Sequence, residues 1–292
     1  MALSVIVTSY ESSLSLFRCL SSLDPQEEAG EIVVSDCSRI DPSVDLQTSF
    51  PRVRFLHFST KHTVPQLRWM ALAFVTGECV AAVEARCIPA NDWCGQLLSA
   101  HSAWPECPAI GGPVAIHDHA TRFEWGLYLC EYGLFAPPVR IGDTRALSGA
   151  NLSYRRSALD ASSDLTDQGS WETLLHERWL SQGRRLALSG AAVTFFNSMS
   201  RHAAIRQRWH YGRGYAAERI SGSPLAIRIV YAAGACILPL LLICRIGLVS
   251  YRKRLLPEFI RSLSWVSLFC VCWSAGEMAG YALGKSSKAH IF

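Results

Sequence analysis

Two long apolar segments, residues 225–249 and 262–284, limit the folds open to this chain more than any other feature, because each could cross a bilayer of about 30 Å hydrocarbon thickness. Three arrangements accommodate them: two full spans, a shallow re-entrant hairpin, or a buried helix pair in a soluble protein. Pro239 and Arg245 interrupt the first segment, and Glu277 lies inside the second. The link between them carries Arg252, Lys253, Arg254 and Arg261. Two spans would put that link outside, against the positive-inside tendency, whereas a hairpin keeps it cytoplasmic. Half of the 292 residues are hydrophobic and only 18% are charged, against roughly 25% in soluble domains. The mean hydropathy of +0.16 averages two unlike parts, since the apolar excess lies after about Pro224. Just before it crowd Arg201, Arg206, Arg208, Arg213, Arg219 and Arg228. They could meet anionic headgroups, at about 1 kcal/mol per basic residue near the surface; the competing reading is a solvated basic helix face. A net charge of +4 gives no reason to expect a nucleic-acid partner.

Upstream, short β-rich runs alternate with helical patterns. Residues 3–8, 31–34, 53–56 and 79–83 read as strands, with helical periodicity through Leu14, Phe17, Leu20 and Leu23 and again over 65–76. Such alternation implies a parallel α/β sheet covered on both faces. Ligands of these sheets bind beyond the carboxyl ends of the strands. Those ends carry Thr8-Ser9-Tyr10-Glu11, Asp36-Cys37-Ser38 and Glu84-Ala85-Arg86, so polar residues recur where a ligand would sit. Farther on, 111–114 and 147–154 read as edge strands flanking a helix near 121–132. A helix over 171–182 is closed by Gly183 as a C-terminal cap. Residues 201–220 read as a basic amphipathic helix broken near Gly212 and Gly214.

The eleven cysteines include no Cys-x-x-Cys pair, and Cys236, Cys244, Cys270 and Cys272 lie in apolar runs. They read as small buried hydrophobes in a reducing compartment. No charged-then-apolar leader precedes the strand at 3–8, so no signal peptide is expected. His117 and His119 have a metal-like spacing, but two histidines on one strand face without further ligands read as a polar edge.

These motifs, in this order, resemble the inverting family-2 glycosyltransferases of GT-A fold. Residues 4–11 are similar to their opening strand and turn, and 31–38 to the second strand with its acidic turn. The segment 147–156 resembles the acceptor-side strand, and Trp171-Glu172 followed by 180–183 the acidic helix with the catalytic base. Gln207-Arg208-Trp209 through Arg213 resembles the aromatic-basic segment after the catalytic domain of membrane-bound members. The resemblance implies a mixed α/β sheet flanked by helices over 1–200; the basic run after it reads as an interface helix over 201–224, and the apolar tail as a membrane hairpin over 225–292. It also implies that Ser9, Tyr10, Asp36 and Arg68 face the donor nucleotide. Glu11 stands where the family more often has an amide. Gly149, Asn151, Trp171 and His176 fall on the acceptor side.

A nucleotide-sugar donor needs a base pocket, compensation of diphosphate charge and a base for the acceptor hydroxyl. Asp36, at a strand end, can accept hydrogen bonds from a base N–H or ribose hydroxyl; alternatively it is an ordinary turn carboxylate. Glu84-Ala85-Arg86 replaces the family's Asp-x-Asp, which holds a divalent metal. Hard cations such as Mg²⁺ or Mn²⁺ take oxygen ligands, and arginine cannot become one. Three readings stay open: Arg86 neutralises the diphosphate itself, Glu84 still binds metal weakly, or catalysis has been lost. Inversion requires a general base, for which Glu172 is the candidate, with His176 one helical turn on. Glu172 could instead complement the helix dipole; Glu177 and Asp167 are rival carboxylates. Gln207, Arg208 and Trp209 could close the site or form a membrane-surface helix.

The leading expectation is an enzyme of the inner (plasma) membrane, its catalytic domain cytoplasmic. It would move a sugar from a nucleotide-sugar to a lipid-linked or polysaccharide acceptor, with no protein-held metal in one version. The second is a catalytically silent assembly or binding subunit of an envelope polysaccharide pathway. A small transporter would explain the tail but not the strand-end residues.

Overall fold

The computed structural model describes residues 1–10, 13–220 and 222–284. It divides into two compact units. The first comprises Met1–His117 and Phe135–Ser198; the second takes Asp118–Leu134 together with the chain from Met199 on. Residues 118–134, assigned to the first domain by the sequence reading, therefore pack with the second unit.

The first unit is built on β1 (Leu3–Ser9), β2 (Ala29–Asp36), β3 (Val53–His57) and β4 (Cys79–Glu84), all parallel. β1 is buried along its whole length, as a β-branched run flanked by strands on both sides should be. The strands that follow are β5 (Cys87–Pro89), β6 (Ala109–Gly111), β7 (Val114–Ile116), β8 (Gly142–Thr144), β9 (Asn151–Arg155), β10 (Leu186–Leu188) and β11 (Val193–Phe195). Eight of these strands form one mixed sheet in the order β3-β2-β1-β4-β9-β6-β10-β8, and β5-β11-β7 form a second.

Two expectations are corrected here. β9 is not an edge strand: it lies antiparallel between β4 and β6. Its polar residues suggested an edge, but they are bonded internally. Asn151 accepts from the Trp93 indole at 2.8 Å and donates to the carbonyls of Pro113 and Ala191, while Ser153 meets His101 at 2.8 Å. The run 111–114 is likewise not one strand; it straddles β6 and β7, which belong to different sheets.

Helices α1 (Ser13–Leu23), α2 (Ser43–Leu46), α3 (Val64–Leu72) and α4 (Trp93–Ala103) accompany the first half of this unit. A reciprocal Thr63–Gln66 capping box and Pro65 in the first turn start α3. The helix ends at Leu72, four residues short of the expected 76. After the insertion of α5 (Arg122–Glu131) come α6 (Arg156–Asp160), α7 (Ser163–Thr166) and α8 (Glu172–Ser181). Gly183, at φ +77°, ends α8 as expected. The amides of Gly183 and Arg184 bond back to Leu180 and Trp179, a Schellman closure.

The second unit holds α5 with α9 (Arg201–Arg219), α10 (Leu225–Gly234), α11 (Leu238–Arg252) and α12 (Leu256–Leu283). α9 is unbroken, contrary to expectation. Gly212 is there for proximity: a Cβ on it would strike the Trp273 carbonyl of α12, and Cβ atoms on Gly276 and Gly280 would strike the carbonyls of Trp209 and Arg213. The helices thus touch backbone to backbone. The first apolar segment is a bent pair, α10 and α11, whose axes differ by 56°. Pro239 sits in the first turn of α11, where its missing N–H costs no helical bond. α12 is long and apolar enough to cross a membrane. Its Glu277 is buried, accepting from the Trp273 indole at 2.5 Å and the Tyr281 hydroxyl at 2.8 Å.

Of the basic cluster, Arg201, Arg206 and Arg219 are exposed, Arg213 and Arg228 half-buried and Arg208 buried, and five of the six are engaged within this unit. Arg208 is buried, 3.7 Å from Glu131 and stacked over Trp273. Arg201, Arg213 and Arg219 lie over Trp265, Trp209 and Tyr231, and Arg228 donates to the carbonyls of Tyr281 and Ala282. All eleven cysteines are free thiols; Cys236 and Cys244, expected to be buried, are exposed. α10, α11 and the turn between them direct apolar side chains outward, including Leu225, Val230, Ile237, Leu240 and Leu241.

Candidate active site

The parallel register brings the strand ends together. Ser9 is paired with Asp36 on one side, and Thr8 with Glu84 on the other. Two strand spacings put the carboxylate-bearing ends about 10 Å apart across β1. Thr8, Ser9, Tyr10, Ser15, Ala85, Arg86 and Ser198 line a cavity of about 10 Å³, room for a single water. Glu11 lies outside the described residues.

Asp36 is 1% exposed. Its Oδ2 is met by the Ser38 amide at 2.9 Å, the Ser38 hydroxyl at 2.7 Å and His57 Nδ1 at 2.8 Å. Its Oδ1 is buried with no hydrogen-bond partner. An unmet buried acceptor costs about 1–3 kcal/mol, so it needs a reason, and a bound ligand supplies one. The sequence reading missed His57. The same strand-end rule that selects Asp36 and Glu84 would have found it, since His57 is the last residue of β3.

Glu84 and Arg86 are both buried, and Arg86 Nε donates to Glu84 Oε2 at 2.8 Å. The guanidinium also lies over the Phe195 ring, 5.3 Å from its centre. A carboxylate engaged by a permanent cation is a poor metal ligand. Among the described residues no group of three or more His, Cys, Asp or Glu could hold a metal ion. Among the described residues Glu84, already paired with Arg86, therefore gives a divalent metal no cradle made by the protein alone.

A third cluster forms around Glu172, the first residue of α8. Arg68, 1% exposed, makes an ion pair through Nη1 with Glu172 and donates through Nη2 to the Gly149 carbonyl at 2.7 Å. Gly149 adjoins the pair closely: a Cβ there would lie 3.7 Å from Glu172 Oε2. The scaffold is hydrogen-bonded throughout. Ser35 on β2 donates to the Leu67 carbonyl, and the Trp69 indole donates to Ser170 just before α8, both at 2.7 Å. Arg68 is thus set against Glu172. His176 faces Tyr154 at 3.2 Å. Burial, reinforced by the Arg68 charge, lowers His176 to about 3, and burial pushes the Tyr154 hydroxyl up. At neutral pH this is an uncharged pair, in which the tyrosine can donate to the imidazole.

Of the other expected residues, Trp171 is the N-cap of α8, and Asn151 is held by the three internal bonds described above. His117 stacks on Phe196 at 4.8 Å. Gln207, Arg208 and Trp209 lie on α9 in the second unit, where Gln207 bonds the Tyr211 hydroxyl at 3.2 Å.

The first unit thus buries a carboxylate oxygen without a hydrogen-bond partner at Asp36, an Arg86–Glu84 pair and an Arg68–Glu172 pair. The family model "Glycosyl transferase family 2" matches residues 4–162, more than half of the chain. No curated protein matches it. Among solved structures it is similar to the mannosyltransferase PcManGT from Pyrobaculum calidifontis in complex with GDP-Man and Mn²⁺. There the TM-score is 0.58 at 16% identity, over 94% of this chain and 85% of that one. It is also similar to GalNAc-T7 with UDP, GalNAc and Mn²⁺, at TM-score 0.52 and 14% identity, over 68% of this chain and 44% of that one.

Proposed function

The chain belongs to glycosyl transferase family 2, and from that premise we propose that it moves a sugar from a nucleotide-sugar onto a lipid-linked or polysaccharide acceptor, inverting the anomeric carbon without a protein-held metal. The observation that supports the reading is that buried Asp36 and the buried Glu84–Arg86 pair end the strands on either side of β1, while Glu172 is buried against Arg68. In this reading Asp36 accepts from the nucleoside, with Ser9 and Tyr10 beside it. Arg86 supplies the positive charge that the leaving diphosphate needs, in a dry site where it acts strongly. Glu172 takes the proton of the acceptor hydroxyl as the sugar is transferred.

The metal question has a direct test. Turnover is expected to persist in excess chelator, and Arg86→Ala to lower kcat about a hundredfold, with partial recovery in Arg86→Lys. Activity that vanishes in chelator and returns with Mn²⁺ would sink the metal-free reading, and an unaltered Arg86→Ala rate would remove Arg86 from the mechanism. A silent assembly subunit draws support from the same pairs, since Glu84 and Glu172 each face an arginine. It predicts donor binding with no turnover under any condition.

We read the second unit as the membrane attachment, on the cytoplasmic face of the plasma membrane. The outward apolar side chains of α10, α11 and α12 support this, as does the exposure of Cys244 in α11 and of Cys236 in the turn before it. A shallow seat suits the packing better than a full crossing by α12. α9 runs along α12 from Trp265 to Tyr281, so submerging α12 would carry the arginines of α9 into hydrocarbon. Cys236 and Cys244 are expected to resist a water-soluble maleimide in lipid nanodiscs, while the link at Arg252–Arg254, probed with an introduced cysteine, labels only from the cytoplasmic side. Rapid labelling of both native thiols in lipid would overturn the attachment.

A further inference from the structure

The two similar structures hold different nucleotides, one with guanine and one with uracil, so the fold leaves the base undecided. The polar atoms around Asp36 do discriminate. A free carboxylate can accept from two parallel donors at once, one on each oxygen, as it does from the guanidinium fork. Guanine presents such a pair on one edge, its ring N1–H and exocyclic N2–H, and its recognition by a carboxylate uses both oxygens. Uracil presents a single donor, N3–H, between two carbonyls.

Asp36 has lost one prong of the fork. The Ser38 amide and His57 Nδ1 meet Oδ2, and the Ser38 hydroxyl, whose one proton lies 2.7 Å from both Oδ2 and the Ile40 carbonyl, crowds it further. The two lone pairs of that carboxylate oxygen are thereby taken, which leaves no place for a further N–H. Oδ1, on the same 1% exposed side chain, has no hydrogen-bond partner. Asp36 ends β2 beside Ser9, which lines the cavity with Arg86. One acceptor is therefore offered where guanine needs two.

We propose that the site selects uracil over guanine nucleotides, with His57 and Ser38 as positioning residues that occupy Asp36 Oδ2 and leave Oδ1 as the only acceptor. This rests on the donor-site reading above. Fixing the carboxylate this way also orders it before the base arrives, so little rotamer freedom is lost on binding.

The experiment is calorimetric titration of the full chain in detergent with UDP and with GDP, in chelator. UDP is expected to bind at least tenfold more tightly. Equal or tighter GDP binding overturns the selectivity while leaving the donor site standing; absence of binding by either nucleotide overturns the donor site and the selectivity with it. His57→Ala frees Oδ2, so the UDP-to-GDP preference is expected to narrow to threefold or less, with thermal unfolding used to verify the fold. A purely structural role would weaken both nucleotides alike, and an unchanged ratio in folded His57→Ala removes the role assigned to His57. The unaltered chain decides the main point even if the variant fails to fold.

Discussion

Glu172→Gln is expected to lower the transfer rate about a thousandfold while leaving donor affinity within about twofold of the unaltered chain. The magnitude follows from general base catalysis, which contributes about 10²–10⁴-fold. The direction follows from the site. Glutamine keeps the shape of the side chain and an oxygen for the Arg68 guanidinium, which stays anchored by the Gly149 carbonyl. What it loses is the capacity to take a proton. The loss should therefore appear in kcat, because the interaction removed is one made in the transition state. Breaking one side of a buried ion pair costs about 3–5 kcal/mol when the remaining charge has no other partner. Thermal unfolding of the variant must accordingly be recorded beside its kinetics. Retention of more than a tenth of the rate in a folded variant would take Glu172 out of the reaction, and Asp167 would become the carboxylate to test.

The second large effect is structural. Gly276→Ala is expected to destabilise the second unit by about 1–3 kcal/mol, the usual cost of overpacking a well-fitted interior. The added methyl would meet the Trp209 carbonyl, backbone that has no flexible end to swing aside. Gly214→Ala is the matched comparison, because nothing lies within 4 Å of the position its Cβ would take. It is expected to leave stability unchanged or raise it by up to about 1 kcal/mol through helix propensity alone. Melting of both variants in detergent checks the pair. If the two shift alike, the glycines of this seam do not set the approach of α9 to α12.

The parts of the site legible in the sequence are those that sit at the end of a regular element. Asp36 and Glu84 follow apolar strand runs directly, and the alternation of strands with helices fixed which end of each run to inspect. His57 obeys the same rule, yet the apolar run before it ended one residue early, at Leu56. The Arg68–Glu172 pair was beyond reach for a different reason. It joins residues far apart in the chain, and an ion pair leaves no periodic trace. Polar residues misled at β9, where buried Asn151 and Ser153 satisfy themselves on the indole of Trp93 and on His101. Gly212 misled in α9, because close helix approach and helix breaking call for the same residue. The apolar lengths of the tail were legible, but the 56° bend was not. Pro239 marks a helix start there rather than a defect within one helix.

The placement of α5 bears on synthesis and on dissection. This helix is encoded within the stretch that builds the first unit, yet its neighbours, α11 and α12, follow it by more than a hundred residues. As the chain leaves the ribosome, α5 must wait with Phe123 uncovered until α12 has been made. A fragment cut at residue 200 strands α5 in that waiting state permanently. The apolar tail thus completes a packing begun much earlier in the chain, and proteolysis between the two would leave the apolar face of α5 uncovered and prone to aggregate.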